Sequence, residues 1–144
     1  MIQLLLNKAG SGKTKKMIEM ANSDILSTKG QLVFIDSSNK HMYDLHRNIR
    51  LISTKDFNLS SYRSFYGFIC GIISENYDIE KIYIDGIGRI ISNISDNINE
   101  FLYKIEGICN KYSVKLIISL STEDEKLISS IQKHSFIQTP LALA

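Results

Sequence analysis

Short runs of apolar residues alternate along this chain with longer stretches in which apolar residues recur every three or four positions. Such alternation is typical of an α/β protein with a mainly parallel sheet, because a connection between parallel strands usually contains a helix. The pattern predicts a three-layer αβα sandwich with a mainly parallel, about five-stranded sheet. The predicted strands are Ile2 to Leu6, Gln31 to Asp36, Arg50 to Ser53, Lys81 to Asp85 and Lys115 to Leu120.

Four stretches of helical period are the predicted helices of this sandwich. Their apolar stripes start at Thr14, Tyr62, Ile98 and Leu127. The expected N-caps are Ser60 or Ser61 for the second helix and Ser95 or Asp96 for the third. In the second helix Gly67 and Gly71 lie four positions apart, and we expect them to allow a close approach to a neighbouring element.

The length of 144 residues fits one domain, and neither a linker nor an internal repeat divides it. We therefore expect a single domain over residues 1–144, in which residues 138–144 fray because they have no partner pattern. The formal net charge of +2 comes from scattered lysines. This distribution leaves nucleic-acid binding unsupported, because such binding needs a one-sided basic surface.

Several features favour a cytoplasmic protein without a membrane partner. The longest near-apolar run, residues 65–73, is far shorter than the roughly 20 residues that span a bilayer. The first six residues contain no basic region of the kind that opens a signal peptide. Cys70 and Cys109 have no metal-ligand spacing, so we expect two free, buried thiols and a reducing compartment.

A glycine-containing segment directly follows the first predicted strand and precedes the first predicted helix. Its residues are Asn7, Lys8, Ala9, Gly10, Ser11, Gly12, Lys13 and Thr14. The segment resembles the P-loop, G-x-x-x-x-G-K-[ST], of nucleotide-binding proteins, with Asn7 in place of the first glycine. Its glycines let successive backbone N–H groups curl around a phosphate at a helix N-terminus. Asparagine is a tolerable replacement because it readily takes a positive φ.

The resemblance to the P-loop implies a role for each polar residue of this segment. Lys13 is expected to reach phosphate oxygens, and the Thr14 hydroxyl to bind Mg²⁺. The strand Lys81 to Asp85 is apolar and ends in an acid, as in the Walker B element, so Asp85 is the expected second ligand of Mg²⁺. Taken alone, an acid at a strand end is often only a turn residue.

The chain as a whole resembles the P-loop NTPase superfamily with a RecA-like core. The second strand ends in Asp36, the Asp85 strand comes late in the chain, and the strand after it ends in hydroxyl residues. The resemblance implies that this last strand lies between those that carry the P-loop and Asp85. It also implies that Ser119, Ser121 or Thr122 senses the γ-phosphate, although such hydroxyls also cap helices.

The chain is also similar to small bacterial ATP-binding proteins sometimes labelled as twitching-motility ATPases. A histidine motif matching that of the hexameric motors is absent, and such a motor is therefore disfavoured. The histidines His41, His46 and His134 have no partner at ligand spacing and are expected on the surface.

The usual positions of a catalytic glutamate in RecA-like cores hold Gly86 and Ser38. Asp36 is the remaining acid in a suitable place, where it orients water, contacts Mg²⁺ or a partner, or caps a helix that begins near Ser37. Arg89 is the candidate cation at the nucleotide edge, the alternative being a solvated surface arginine. Hydrolysis is therefore expected to be slow or absent.

The leading hypothesis is a Mg²⁺-dependent protein that binds ATP or ADP and acts on an unknown protein partner, or in self-assembly, as a switch or slow accessory ATPase. Guanine is disfavoured because an N-K-x-D motif is missing. One alternative is a small-molecule or nucleoside kinase, with residues 53–63 as a lid that carries Lys55 and Arg63. The other is a P-loop interaction module that does not hydrolyse nucleotide.

Overall fold

A computed structural model, which describes residues 1–138, contains one sheet of six strands in which every neighbouring pair is parallel. The strands are β1 (Ile2–Asn7), β2 (Gln31–Asp36), β3 (Arg50–Ser53), β4 (Ile79–Ile84), β5 (Lys115–Ser121) and β6 (Ile137–Gln138). The helices are α1 (Lys13–Asp24), α2 (Tyr62–Glu75), α3 (Ile87–Ile90), α4 (Ile94–Tyr112) and α5 (Glu125–Gln132). The predicted α/β class and parallel sheet are confirmed.

The strand order is β3-β2-β4-β5-β1-β6. Strand β5 therefore lies between β1 and β4, as expected for the strand that follows Asp85 in the chain. Its residues pair with β1 on one side, where Asn7 lies opposite Ser121, and with β4 on the other, where Ile84 lies opposite Ile118. Because all strands run the same way, their carboxyl ends meet at one edge of the sheet.

The sixth strand contains Gln138, the first residue of the segment that was predicted to fray. Ile137 and Gln138 pair with the start of β1, and the side chain of Gln3 donates to Gln138 Oε1 over 2.6 Å. This pairing covers backbone groups that β1 would otherwise expose at an open edge. The rest of the predicted frayed end, residues 139–144, lies outside the described residues.

Two hydrophobic clusters lie on opposite faces of the sheet, because side chains alternate along each strand. The larger cluster joins β-strand residues such as Leu4 and Ile82 to α2, α4 and α5. The smaller one joins their neighbours Leu5 and Tyr83 to Met17 of α1. The two coverings are consistent with a three-layer sandwich, in which one face carries most of the helices.

On the face of the sheet that α1 covers, turns cover the remaining surface. Residues 37–49, here called the turn segment, contain bends and turns but no helix, so the helix expected near Ser37 is absent. Leu45 and Ile49 of the turn segment are buried beside α1. Because these two side chains are buried, the turn segment packs against this face of the sheet before the chain enters β3.

Helix boundaries agree with the sequence prediction at α2 and differ from it at α4. Ser61 caps α2, accepting the Ser64 N–H, in a reciprocal capping box. Helix α4 starts at Ile94, after Asn93, so the prediction of Ser95 or Asp96 as its N-cap is wrong by two residues or more. In the part of the chain that the structure describes, no helix is long and apolar enough to cross a bilayer.

The two cysteines are free thiols, as expected. Cys109 is buried in the larger cluster, and desolvation raises its pKa to about 12. Cys70 on α2 is only half-buried, so the prediction of burial holds for one thiol of the two.

Gly67 and Gly71 do not mark a close approach of α2 to another element. Both are exposed, and a β-carbon built at either position meets no atom within 4 Å. The expected contact fails because these glycines face away from the side of α2 that Phe65 and Ile69 bury. They therefore weaken an exposed helix surface without a packing benefit.

Replacing Gly71 by alanine is expected to stabilise the protein by up to about 1 kcal/mol, the difference in helix propensity between the two residues. Urea unfolding of Gly71→Ala measures the gain. The matched control is Gly30→Ala, whose β-carbon would lie 2.1 Å from the Asp78 carbonyl oxygen and should destabilise the fold. A Gly71→Ala protein less stable than wild type would contradict the exposed position of this residue.

Candidate functional site

The loop between β1 and α1 depends on two glycines in the left-handed region. Gly10 has φ of 77° and Gly12, which precedes the first residue of α1, has φ of 91°. Other residues rarely adopt these angles, so the observed curl of the loop requires glycine at both positions. Asn7 differs from the expectation of a positive φ: it ends β1, and its side-chain oxygen accepts the Lys8 N–H over 2.9 Å.

The backbone of this loop leaves hydrogen-bond donors free at the start of α1. Within residues 1–138, the N–H groups of Gly10, Ser11 and Gly12 have no acceptor. The N-terminus of a helix adds unpaired N–H groups and the positive end of the helix dipole. This combination favours an anion over the loop that contains Lys8 and Ala9.

The Lys13 side chain folds back into the loop. Only 6% of the residue is exposed, and its Nζ donates to the carbonyl oxygens of Asn7 (3.1 Å) and Lys8 (2.7 Å) and to Ser11 Oγ (3.2 Å). Desolvation lowers the pKa of Lys13, the Asp85 carboxylate opposes this change, and Arg89 adds to it. The ammonium group thus lies inside the curve formed by residues 7–11.

Asp85 is the centre of the site. It directly follows β4, is 1% exposed, and its N–H donates to the Ile35 carbonyl of β2. Its Oδ2 accepts the Thr14 hydroxyl over 2.8 Å, and its Oδ1 accepts the Ser119 hydroxyl over 2.9 Å. Arg89 Nη2 lies 3.2 Å from Oδ2. One carboxylate therefore joins α1, β5 and α3 to the end of β4.

Gly86 turns the chain from Asp85 into α3. Its φ of 68° is left-handed, and a β-carbon there would lie 2.3 Å from the Arg89 guanidinium. The missing side chain is therefore what lets Arg89 fold over residue 86 toward Asp85. The Gly86 N–H donates to Ser119 Oγ over 2.7 Å.

The three hydroxyl residues offered as sensors have different surroundings. Ser119 is buried, and its hydroxyl is engaged with Asp85 and the Gly86 N–H. Ser121 is exposed at the end of β5. The Thr122 hydroxyl accepts the Asp124 N–H, and Asp124 caps α5, so Thr122 belongs to the start of that helix. Ser119 alone is part of the network around Asp85.

Asp36 has one oxygen without a partner. The residue is 1% exposed at the end of β2, and its Oδ1 accepts the Ser37 N–H over 2.7 Å. In the part of the chain that the structure describes, Oδ2 is buried and has no hydrogen-bond donor. Desolvation and then the charge of Asp85 raise the pKa of Asp36, while the Ser37 N–H, Arg89 and His41 oppose this change. Because no helix follows, Asp36 is not a helix cap.

Arg89 is brought to the site as expected, whereas Arg63 is not. Arg89 Nη2 lies 3.9 Å from Asp36 Oδ1, so the guanidinium lies beside two buried carboxylates. Arg63 instead stacks over the ring of its neighbour Tyr62. The other residue of the expected lid, Lys55, lies 3.5 Å from Asn39 Oδ1 of the turn segment.

A histidine and an aspartate of the turn segment were missed as a pair by the sequence reasoning. His41 Nδ1 lies 3.0 Å from Asp44 Oδ2. Both line a pocket of about 480 Å³ against α1, together with Thr14, Lys15, Ile18 and Glu19. The separation of three residues between His41 and Asp44 was the available signal in the sequence. It indicates a contact only if the chain is known to turn between these two residues.

No protein-family model matches this chain, and a search of curated proteins found no match. Among residues 1–138, no three side chains of histidine, cysteine, aspartate or glutamate converge in a group that could hold a metal ion.

The raised pKa of Asp36 predicts a pH dependence of stability. A carboxyl group whose pKa is higher in the folded than in the unfolded protein loses stability as pH rises from its ordinary value of 3.8 through the raised one. Asp36→Asn keeps the shape without the charge. We therefore expect the unfolding free energy of this variant, relative to wild type, to increase as pH rises above the ordinary value of 3.8.

Urea unfolding at several pH values measures that difference. Asp56→Asn removes a carboxylate from an exposed residue and controls for the change in net charge. If the stability of Asp36→Asn and of wild type changes in parallel over this range, the burial of an unpaired Asp36 oxygen does not affect the energetics as described.

Proposed function

We propose that this protein binds ATP or ADP with Mg²⁺ at the carboxyl edge of β1 and β4, and that it acts on a protein partner as a nucleotide-dependent switch or slow accessory ATPase. The observation that carries the proposal is the hydrogen bond between Thr14 and Asp85. These residues are 71 positions apart in the chain, yet their oxygens lie 2.8 Å from each other directly beside Lys13 and the glycine loop.

The residues of the loop fit a phosphate group. Free N–H groups from Gly10 to Gly12 and the start of α1 supply neutral donors, and Lys13 supplies a charge. Phosphate oxygens are stronger acceptors for an ammonium group than the carbonyl oxygens that Lys13 contacts, because the hydrogen bond is then charge-assisted on both sides. The lowered pKa of Lys13 agrees with this comparison. Burial without a full counter-charge disfavours the ammonium form, and a phosphate group would supply the missing negative charge.

Thr14 and Asp85 fit Mg²⁺. This ion prefers oxygen ligands and is usually held by one or two carboxylates together with water and phosphate oxygens. The site therefore does not need a cluster of three acidic or histidine side chains. When bound, Mg²⁺ neutralises charge on the phosphates. Ser119 keeps the Asp85 carboxylate in place through the oxygen that Thr14 does not use.

The remaining polar groups support slow chemistry. Asp36 is the acid that would orient a water molecule, because its Oδ2 has no donor among the described residues. That oxygen is buried, and the raised pKa keeps the carboxyl group protonated above its ordinary range, so both features favour slow chemistry. Arg89 is the cation at the same edge. The strand order, with β5 between β1 and β4, supports the RecA-like comparison within the P-loop NTPases.

A second candidate function, a small-molecule kinase, is favoured by the pocket beside Thr14. Its volume of about 480 Å³ suits a small acceptor, and the pair of His41 and Asp44 offers a positioned nitrogen and carboxylate. Of the proposed lid, Lys55 contacts the turn segment that forms this pocket. Phosphate transfer from ATP to a nucleoside or another hydroxyl compound, lost in His41→Ala, would select this function over the switch.

The proposed nucleotide site is tested by thermal unfolding with ATP, ADP and GTP, each with and without Mg²⁺. ATP with Mg²⁺ is expected to stabilise the protein by about 2.7 kcal/mol at one hundred times the dissociation constant. Lys13→Ala should lose this stabilisation, because the charged contact to phosphate is gone.

Lys16→Ala is the matched control, since it removes one lysine from an exposed position of the same helix. An equal stabilisation of wild type, Lys13→Ala and Lys16→Ala would overturn the site. No stabilisation at millimolar nucleotide would favour the interaction module that does not hydrolyse ATP.

A further inference from the structure

The position of Arg89 bears on how a divalent cation reaches Asp85. Its guanidinium lies 3.2 Å from Asp85 Oδ2, and this same oxygen accepts the Thr14 hydroxyl. Oδ1 faces the Ser119 hydroxyl on the buried side. The oxygen that Arg89 contacts is therefore the one turned toward Thr14, where a cation shared by Thr14 and Asp85 would bind.

The fold holds Arg89 at this oxygen. Helix α3 is a single turn anchored by the buried side chains of Ile87 and Ile90, and the Arg89 N–H donates to the Gly86 carbonyl over 2.8 Å. Gly86 has no side chain to obstruct the guanidinium. The contact is thus a product of the local backbone, in contrast to the solvated Arg63.

We propose that Arg89 is a specificity-determining residue that competes with free divalent cations for Asp85, so that the site accepts Mg²⁺ together with a polyphosphate in preference to Mg²⁺ alone. This inference rests on the proposed function. It deepens that function by assigning to one residue the choice between the free ion and the metal–nucleotide complex.

The charges explain the preference. A guanidinium and a divalent cation at one carboxylate oxygen repel each other, and solvent screens this repulsion only in part because Asp85 is buried while Arg89 is half-exposed. A free ion gains only Asp85 and the Thr14 oxygen in exchange. A metal–nucleotide complex also brings phosphate charge to Lys13 and the loop, which offsets the displacement of Arg89.

The Arg89 side chain has an alternative position when a cation displaces it from Asp85. Its side chain is 49% exposed, so it can rotate into water without leaving a buried charge unpaired. Asp36 Oδ1 already lies 3.9 Å from Nη2, which provides a second carboxylate on the other side. Displacement therefore exchanges one partner for another without unfolding α3.

The test is binding of Mn²⁺ in the absence of nucleotide, followed by the electron paramagnetic resonance signal of the free ion. Arg89→Ala is expected to bind Mn²⁺ roughly tenfold more tightly than wild type, an effect typical of removing one unit charge a few ångström away. Affinity for Mn²⁺ with ATP should not increase to the same extent. Arg63→Ala removes the same charge from α2 and should leave both affinities unchanged.

A second variant keeps the arginine but moves it. In Gly86→Ala the new β-carbon would meet the guanidinium, so this variant should also bind free Mn²⁺ more tightly. Circular dichroism shows whether each variant is folded, and Arg89→Gln, which keeps a long polar side chain without the charge, replaces Arg89→Ala if the latter is not.

Two results would overturn the inference. Equal Mn²⁺ affinities of wild type, Arg89→Ala and Arg63→Ala would remove the competition while leaving a Lys13-dependent stabilisation by ATP, and hence the proposed function, intact. Absence of Mn²⁺ binding to every variant, with and without ATP, would remove the metal site from both proposals.

Discussion

The buried carboxylate of Asp85 is the interaction on which the arrangement of the site depends. An ionised group without partners in the interior is very unfavourable, so its oxygens need donors from the surrounding elements. Thr14, Ser119 and Arg89 supply them, each from a different element of the fold. Because the three donors must all reach one group, the start of α1, the end of β5 and α3 are fixed relative to β4. Stability and the geometry of the site thus share one cause.

The sequence predicted the helices and strands that are long enough to show a recurring apolar pattern. Strands such as β4 and β5 are long enough for an apolar run to be recognised, and Ser61 is a cap with a local chemical reason. The two-residue β6 and the one-turn α3 carry no such signal, because periodicity needs several turns or alternations. The turn segment was misjudged for a different reason: Asp36 followed by serines favours a helix start, but the burial of Leu45 and Ile49 on the sheet overrides that local preference.

The site was predictable to the extent that its chemistry is local. The glycines at positions 10 and 12 and the Lys13–Thr14 pair follow from a motif, and Asp85 follows from its place at a strand end. Arg89 was expected at this edge, but its contact with one particular oxygen of Asp85 and the orphan oxygen of Asp36 were not predictable, because they depend on which side chains the finished fold brings within 4 Å. Asn7 fits the loop for another reason than the predicted one, since it continues β1 instead of adopting a positive φ.

The strand order also has a consequence for how the molecule assembles. Among residues 1–138, strand β1 pairs with β5 and β6 alone, so Ile2 finds its partners at Leu116 and Ile137. A ribosome that has made the first half of the chain has released β1 and the glycine loop with no neighbouring strand to bind. Pairings so distant in sequence close slowly. The centre of the sheet is therefore completed only after the second half of the chain has been made, and until then the apolar side chains of β1 have no neighbouring strand.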